Sequence, residues 1–236
     1  METYQEFLNR INSFQKSKLE FYCDHFKPSL SVESKVNKDN SFKNFYGDTV
    51  VFDLDSEIKN KITNIIDMLY DKVPECFCEK IISDTIHMTL HDLSNSPTLS
   101  DVSQDIFNNE INLINKLTTV KIKHKSIRMK TKFIFNMVNT SLVLGLYPVN
   151  EDEYIKLIDL YGLVDEIKEL PYPFTPHITL AYYNSFGFSV ESKRKLEAVV
   201  NSLNKETFLI ELDTDNLYYQ KFTNMNNYIN IFKIIP

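Results

Sequence analysis

Two short stretches carry the residues best suited to chemistry: His87-Met88-Thr89-Leu90 and His177-Ile178-Thr179-Leu180. Both read histidine, apolar, threonine, leucine, and they lie 90 positions apart in a chain with only five histidines. In a strand, residues i and i+2 point to one face, so each imidazole stands beside its own hydroxyl while Met88 and Ile178 turn into a core. Two imidazoles and two hydroxyls around one ligand suit general acid–base chemistry on a phosphodiester. One ring takes the proton of the attacking hydroxyl and the other protonates the leaving oxygen. An unperturbed pKa of about 6.5 lets a neutral and a charged ring coexist near neutrality. The threonine hydroxyls can donate to the non-bridging oxygens, where transition-state charge must be held. Neither a metal nor a cofactor is called for, and which histidine is acid and which is base stays open.

Those pairs need two strands in equivalent places, and the pattern of elements supplies them. Thr49–Leu54 reads as a buried, β-branched strand. A helix follows, capped by Asp55 or Ser56, with an apolar stripe of Ile58, Ile62, Ile65, Ile66 and Leu69, and it stops at Pro74. The first His-containing strand spans Thr85–Leu90. After a Ser-rich link come a helix near Ser103–Leu117 and two strands, Val120–Met129 and Phe133–Met137, with Lys130–Lys132 between them. The second half repeats the order. Strand Ser141–Tyr147, a helix from an acidic cap at Asn150–Glu153 to about Ile167, and strand His177–Tyr182 lead to a helix near Val190–Leu203. Strands at Phe208–Leu212, Leu217–Lys221 and Tyr228–Ile234 complete it. Thr119 and Thr207, each ahead of its half's closing strands, lie 88 apart. The expected architecture is α+β: two pseudo-symmetric lobes, antiparallel sheets lining a central groove, helices outside. The groove between them is the natural binding site.

On these motifs the chain resembles the two-histidine (2H) phosphoesterase superfamily, over about residues 45–235. The context PFTPHITLAYY fits the second half of that family well, and the first half is looser. The resemblance implies catalytic roles for His87 and His177 and phosphate-binding roles for Thr89 and Thr179. It divides the chain into residues 1–45, a helical extension and loop with no counterpart we can place, and a bilobal domain over 46–236. The extension has helical apolar spacing through Tyr4, Phe7, Leu8, Ile11 and Phe14, with Leu19 and Phe21 beyond, then a polar loop over Ser29–Asn44 long enough to suggest function.

Other candidates surround the motifs. His91, at i+4 from His87, shares its face if the strand continues; it either contacts the ligand or caps the strand end. A nucleotide needs an aromatic platform. Tyr172, Phe174, Tyr182 and Tyr183 adjoin the second motif, and Phe42, Phe45 and Tyr46 lead into the first strand. Of these, Tyr172, Phe174, Tyr182 and Tyr46 join His91, Thr89 and Thr179 as expected substrate contacts. Arg128, Lys130 and Lys132 form the densest basic cluster, read as a solvated hairpin, and Lys221 is a lesser phosphate candidate. His25 and His124 read as ordinary surface residues.

Composition sets the bounds. The 236 residues are 43% hydrophobic and 25% charged, with a net charge of −6, which allows a full core and argues against broad duplex nucleic-acid binding. Cys23, Cys76 and Cys78 offer no paired spacing for zinc and read as reduced thiols. The charged N-terminus lacks a leader's apolar stretch, and no run reaches the ~18 residues of a membrane span. A cytoplasmic protein with no membrane partner is expected. Its expected activity is metal-independent cleavage of a nucleotide or RNA phosphodiester (2′,3′-cyclic, 2′–5′ or cyclic-oligonucleotide type). The alternatives are a nucleotide-sensing module on the same fold and an interaction protein docking through its N-terminal helix.

Overall fold

Strand and helix patterns alternate through the chain, and a computed structural model, describing residues 2–15 and 25–234, follows that alternation. Leu19, Phe21 and Cys23 lie outside the described residues. Helix α1 (Tyr4–Phe14), strand β1 (His25–Phe26) and the short α2 (Leu30–Glu33) come first. They are followed by β2 (Tyr46–Asp53), α3 (Ser56–Lys72), β3 (His87–Ser96), α4 (Leu99–Leu117) and β4 (Ser126–Met137). The second half holds β5 (Ser141–Pro148), α5 (Glu151–Asp165), β6 (His177–Tyr182), β7 (Phe188–Ser189) and α6 (Val190–Leu203). Strands β8 (Leu209–Asp213), β9 (Leu217–Asn224) and β10 (Asn227–Lys233) close the chain.

The architecture is α+β, as expected: one antiparallel eight-stranded sheet, in the order β10-β9-β2-β3-β6-β5-β4-β8, with a small β1–β7 pair. The two halves are the two ends of this sheet. They meet where β3 runs beside β6, the two His-containing strands, with Met88 opposite Ile178. Outward from that seam the halves mirror each other: β2 and β5, then β9 and β4, then β10 and β8. The strand after α4 therefore serves the second half, beside β5, and the β9–β10 hairpin returns to the first.

Local chemistry accounts for the elements. Asp55 caps α3 by accepting from the Ile58 backbone N–H at 2.8 Å, and Ile58, Ile62, Ile66 and Leu69 are buried. Each such side chain contributes about 1.5–3 kcal/mol on leaving water. Pro74 opens a short 3-10 turn after the helix ends at Lys72. Asn150 caps α5, and the buried Glu153 beside it accepts from the Arg128 backbone and side chain and from Lys156 Nζ, tying α5 to β4.

Two expectations change at the level of strands. Of the segment expected to hold two strands and a Lys130–Lys132 hairpin, residues 120–125 are not strand, and residues 126–137 form the single strand β4. Its burial alternates, with Ile127, Met129, Thr131 and Phe133 buried and Arg128, Lys130 and Lys132 turned outward. The Ser-rich link after the first motif is also strand. β3 continues to Ser96 because it pairs with β2 throughout, Tyr46 opposite Ser96 and Asp53 opposite His87. There Ser94 joins a buried polar cluster: the Asp48 carboxylate accepts from the Ser94 N–H at 2.8 Å, Asn109 Nδ2 at 3.1 Å and Tyr219 Oη at 3.0 Å.

Candidate active site

The four motif side chains come together at the β3–β6 seam. Antiparallel register around Met88 and Ile178 sets His87 across from Thr179 and Thr89 across from His177. Each histidine thus has its own threonine two residues on and the other half's threonine beside it. Directly opposed side chains in such a pair have Cβ atoms about 4.5–5.5 Å apart. All four line one cavity of about 580 Å³.

Each motif begins two residues earlier than the sequence reading recognised. The Thr85 carbonyl sits 2.7 Å from His87 Nδ1, and the Thr175 carbonyl 2.7 Å from His177 Nδ1. A carbonyl only accepts, so both Nδ1 atoms carry a proton and donate it, leaving Nε2 as the free nitrogen. The full repeat is T-x-H-x-T-L, and Thr85 and Thr175 were readable at the same 90-residue offset.

Both motifs end in the same irregularity. In β3, Thr89 pairs with Val51 and His91 with Val50, leaving Leu90 extra. In β6, Thr179 pairs with Val143 and Ala181 with Leu142, leaving Leu180 extra. Each is a β-bulge, which turns two consecutive residues to one side and shifts the later alternation. Leu90 with His91, and Leu180 with Ala181, are therefore all buried. The bulge corrects the expectation for His91. It does not continue the face of His87 but borders the cavity with both ring nitrogens engaged, Nδ1 to the Asp92 carbonyl and Nε2 to Asp165 Oδ1 at 3.0 Å. The cavity face passes to Asp92 in the first half and Tyr182 in the second.

Aromatic side chains form much of the remaining wall. Tyr172 and Phe174 line it, and Phe174 stacks on Tyr161 at 4.6 Å. Tyr228, from β10, lies edge-on to the His87 ring at 4.9 Å. Tyr46 is outside the lining: strand alternation puts it on the side of Asp48, which bonds to Asn109 of α4, and its neighbour Phe45 faces the cavity instead. Tyr183 is core, and Phe42 packs edge-on to Tyr182 without reaching the lining. The basic candidates are elsewhere, Arg128 with Glu153 and Lys221 with Glu110. His25 Nε2 meets the Phe186 carbonyl, and His124 lies 3.8 Å from Asp159.

The segment expected as a loop over Ser29–Asn44 is a packed wall. Its Ser29 N–H donates to the Asn139 carbonyl, and the Ser31 and Thr140 hydroxyls bond at 2.8 Å. Val32 and Val36 are buried against Cys78. It delivers Ser31 and Lys35 to the cavity, and α1 delivers Phe14. Neither Lys35 nor Asp92 was found by sequence reasoning. Asp92 becomes visible only once the bulge is known, and nothing near Lys35 in the sequence marks it.

Burial lowers the pKa of both rings. Burial pushes His87 down to about 4 against the opposing pull of the Thr85 carbonyl and of Asp92 and Asp53; His177, if charged, would push it lower still. Burial also lowers His177, offset by the Thr175 carbonyl and Asp92. Tyr182 and Tyr228 are raised by burial, and Tyr172 is pushed up to about 12. Burial pushes the Cys76 and Cys78 thiols up to about 12, which keeps both protonated and unreactive. Among the described residues, no three His, Cys, Asp or Glu side chains gather as a metal-ion site, and no helix is long and apolar enough to cross a membrane.

Comparison with solved structures bears on the fold. The chain is similar to ATU0111, a conserved protein of unknown function from Agrobacterium tumefaciens str. C58, with a TM-score of 0.68 at 15% identity over 89% of this chain and 94% of that one. The two proteins share a fold. Looser similarity reaches E. coli LigT in apo form, with a TM-score of 0.46 at 15% identity over 80% and 96% of the two chains. TT0787 of Thermus thermophilus follows at 0.44, with 11% identity over 79% and 95%. No protein-family model matches the sequence, and comparison with curated proteins finds no match. Likeness of fold leaves function to be argued from the site.

Proposed function

We propose that this protein is a phosphodiesterase that cleaves a nucleotide or short-oligonucleotide phosphodiester with two histidines and no metal. The observation that carries the reading is the seam itself. Two strands, each opening on the histidine of a T-x-H-x-T-L motif, lie antiparallel along one cavity, each ring oriented by a carbonyl at Nδ1 that leaves Nε2 free. The resemblance of these motifs to those of two-histidine phosphoesterases supports the same chemistry.

The roles follow from the environments. His87, the ring held down to about 4, stays neutral and serves as base, its Nε2 taking the proton of the attacking hydroxyl or water. His177 serves as acid. A bound phosphate places negative charge beside it, which favours its protonated form, and its Nε2–H is then delivered to the leaving oxygen. Thr89 and Thr179 donate to the non-bridging oxygens from opposite strands. Tyr172 and Phe174 offer a face on which a base can stack. A cavity of about 580 Å³ is in the usual range for small-molecule sites, which favours 2′,3′-cyclic nucleotides, 2′–5′ linkages and cyclic dinucleotides over long duplexes.

The test is turnover of a panel under excess EDTA: 2′,3′-cyclic mononucleotides, 2′–5′ and 3′–5′ oligoadenylates, and cyclic dinucleotides, with the wild type, His87→Ala and His177→Ala. Cleavage of one member, lost in both variants, is the expected result. Binding without cleavage of any member would replace this reading with a nucleotide sensor.

A further inference from the structure

The histidine–threonine quartet supplies hydrogen bonds and protons but no permanent positive charge, whereas its ligand carries a negative one. The cavity lining contains a single lysine or arginine among the described residues, and it comes from outside the repeated halves. Lys35 follows α2 in the N-terminal wall, on backbone held by the Ser31–Thr140 bond and the burial of Val32 and Val36. Its Nζ lies 5.0 Å from the centre of the Phe45 ring and 5.4 Å from that of Tyr182, whose hydroxyl interacts with Thr179. The ammonium is thus held on aromatic faces next to the second histidine–threonine pair.

No salt bridge or hydrogen bond holds that ammonium among the described residues; burial holds the Lys35 pKa below the usual lysine value, and the Asp92 carboxylate on β3 works against that shift. Most of the lysines with comparable cover pair directly, as Lys59 does with Asp53 at 2.6 Å and Lys221 with Glu110 at 2.5 Å. A partly buried cation resting only on rings pays desolvation that a ligand anion would offset. We propose that Lys35 is the phosphate-binding cation of this site, contacting a non-bridging oxygen that the threonine hydroxyls also address. The proposal rests on the reading that the ligand carries a phosphoryl group. It makes the N-terminal segment part of the active site.

The experiment compares wild type, Lys35→Met, Lys35→Gln and Lys35→Arg. Calorimetry gives affinity for adenosine 2′-monophosphate, kinetics give kcat/KM on whichever panel member is cleaved, and thermal unfolding reports packing. A charge-assisted contact of this kind is worth about tenfold or more in affinity. The expected result is a loss of at least that size in Lys35→Met and Lys35→Gln, with substantial recovery in Lys35→Arg and unchanged melting temperatures. Wild-type affinity and turnover in Lys35→Met would overturn the role of Lys35 and leave the phosphodiesterase reading standing. Equal losses in all three variants would also overturn it, since Arg retains the charge. Failure of the wild type to bind or cleave any phosphate-bearing probe would remove both.

Discussion

The two halves of the sheet agree residue by residue as far as the motif leucine and then part. Up to Leu90 and Leu180 each offers the same carbonyl, ring, hydroxyl and bulge. One position later the first half buries His91 against Asp165 and the second buries Ala181. At the next, facing the cavity, the first half has a carboxylate, Asp92, and the second an aromatic ring, Tyr182. The coverings differ too. Tyr228 lies against His87, and Lys35 sits over Tyr182. The lesson is that the halves match over the groups to which the proposed function gives the chemistry, and that they differ just beyond the bulges.

The largest effects should fall on the shared part. His87→Ala and His177→Ala should each lower kcat by about 10²–10⁴-fold, the usual contribution of a positioned acid or base. Comparable losses from both rings are what a divided proton transfer requires, and a large loss from only one would break the pairing. Thr89→Val and Thr179→Val should each cost about 10²-fold in kcat/KM if both hydroxyls hold transition-state charge. A variant that changes KM alone would reassign its hydroxyl to ground-state binding.

Smaller effects sharpen the difference between halves. Asp92 raises the affinity of both rings for a proton, so Asp92→Asn should move the acid limb of the kcat/KM profile to lower pH. Tyr182→Phe carries no charge change and should leave that limb in place. Both rings hold protons less tightly folded than unfolded, so between the lowered folded values and about 6.5 the unfolded chain binds more protons. Stability contributed by the neutral rings is therefore present above about pH 6.5 and lost as pH falls below it. The melting temperature should drop on acidification, less steeply in a His87→Gln/His177→Gln double variant. His91→Ala should destabilise the fold by about 1–3 kcal/mol in denaturant titration, through loss of its buried hydrogen bonds.

Period and punctuation made most of the fold legible. The stripe Ile58–Leu69, the cap at Asp55 and the two H-x-T-L strands all lie where their side chains dictate. What stayed hidden depends on partners distant in sequence. Arg128, Lys130 and Lys132 read as a hairpin because their charges mask a period of two that β5 and β8 enforce. The expectation for His91 counts along a regular strand, and that for Tyr46 rests on its being an aromatic residue just ahead of the first strand. A bulge, which no local residue type announces, defeats that count at His91, and at Tyr46 alternation gives the cavity face to Phe45. Lys35 reaches the cavity only because its segment docks on the β4–β5 turn.

The most direct test of two rings acting as one device is a double-variant cycle on the panel member that is cleaved, measured with excess EDTA. Residues that act as a unit are not additive, so removing the second ring after the first should cost little more. We expect His87→Ala, His177→Ala and the double variant to fall to nearly the same residual rate. Losses that multiply, or one single variant retaining the wild-type rate, would contradict a shared proton transfer across the β3–β6 seam.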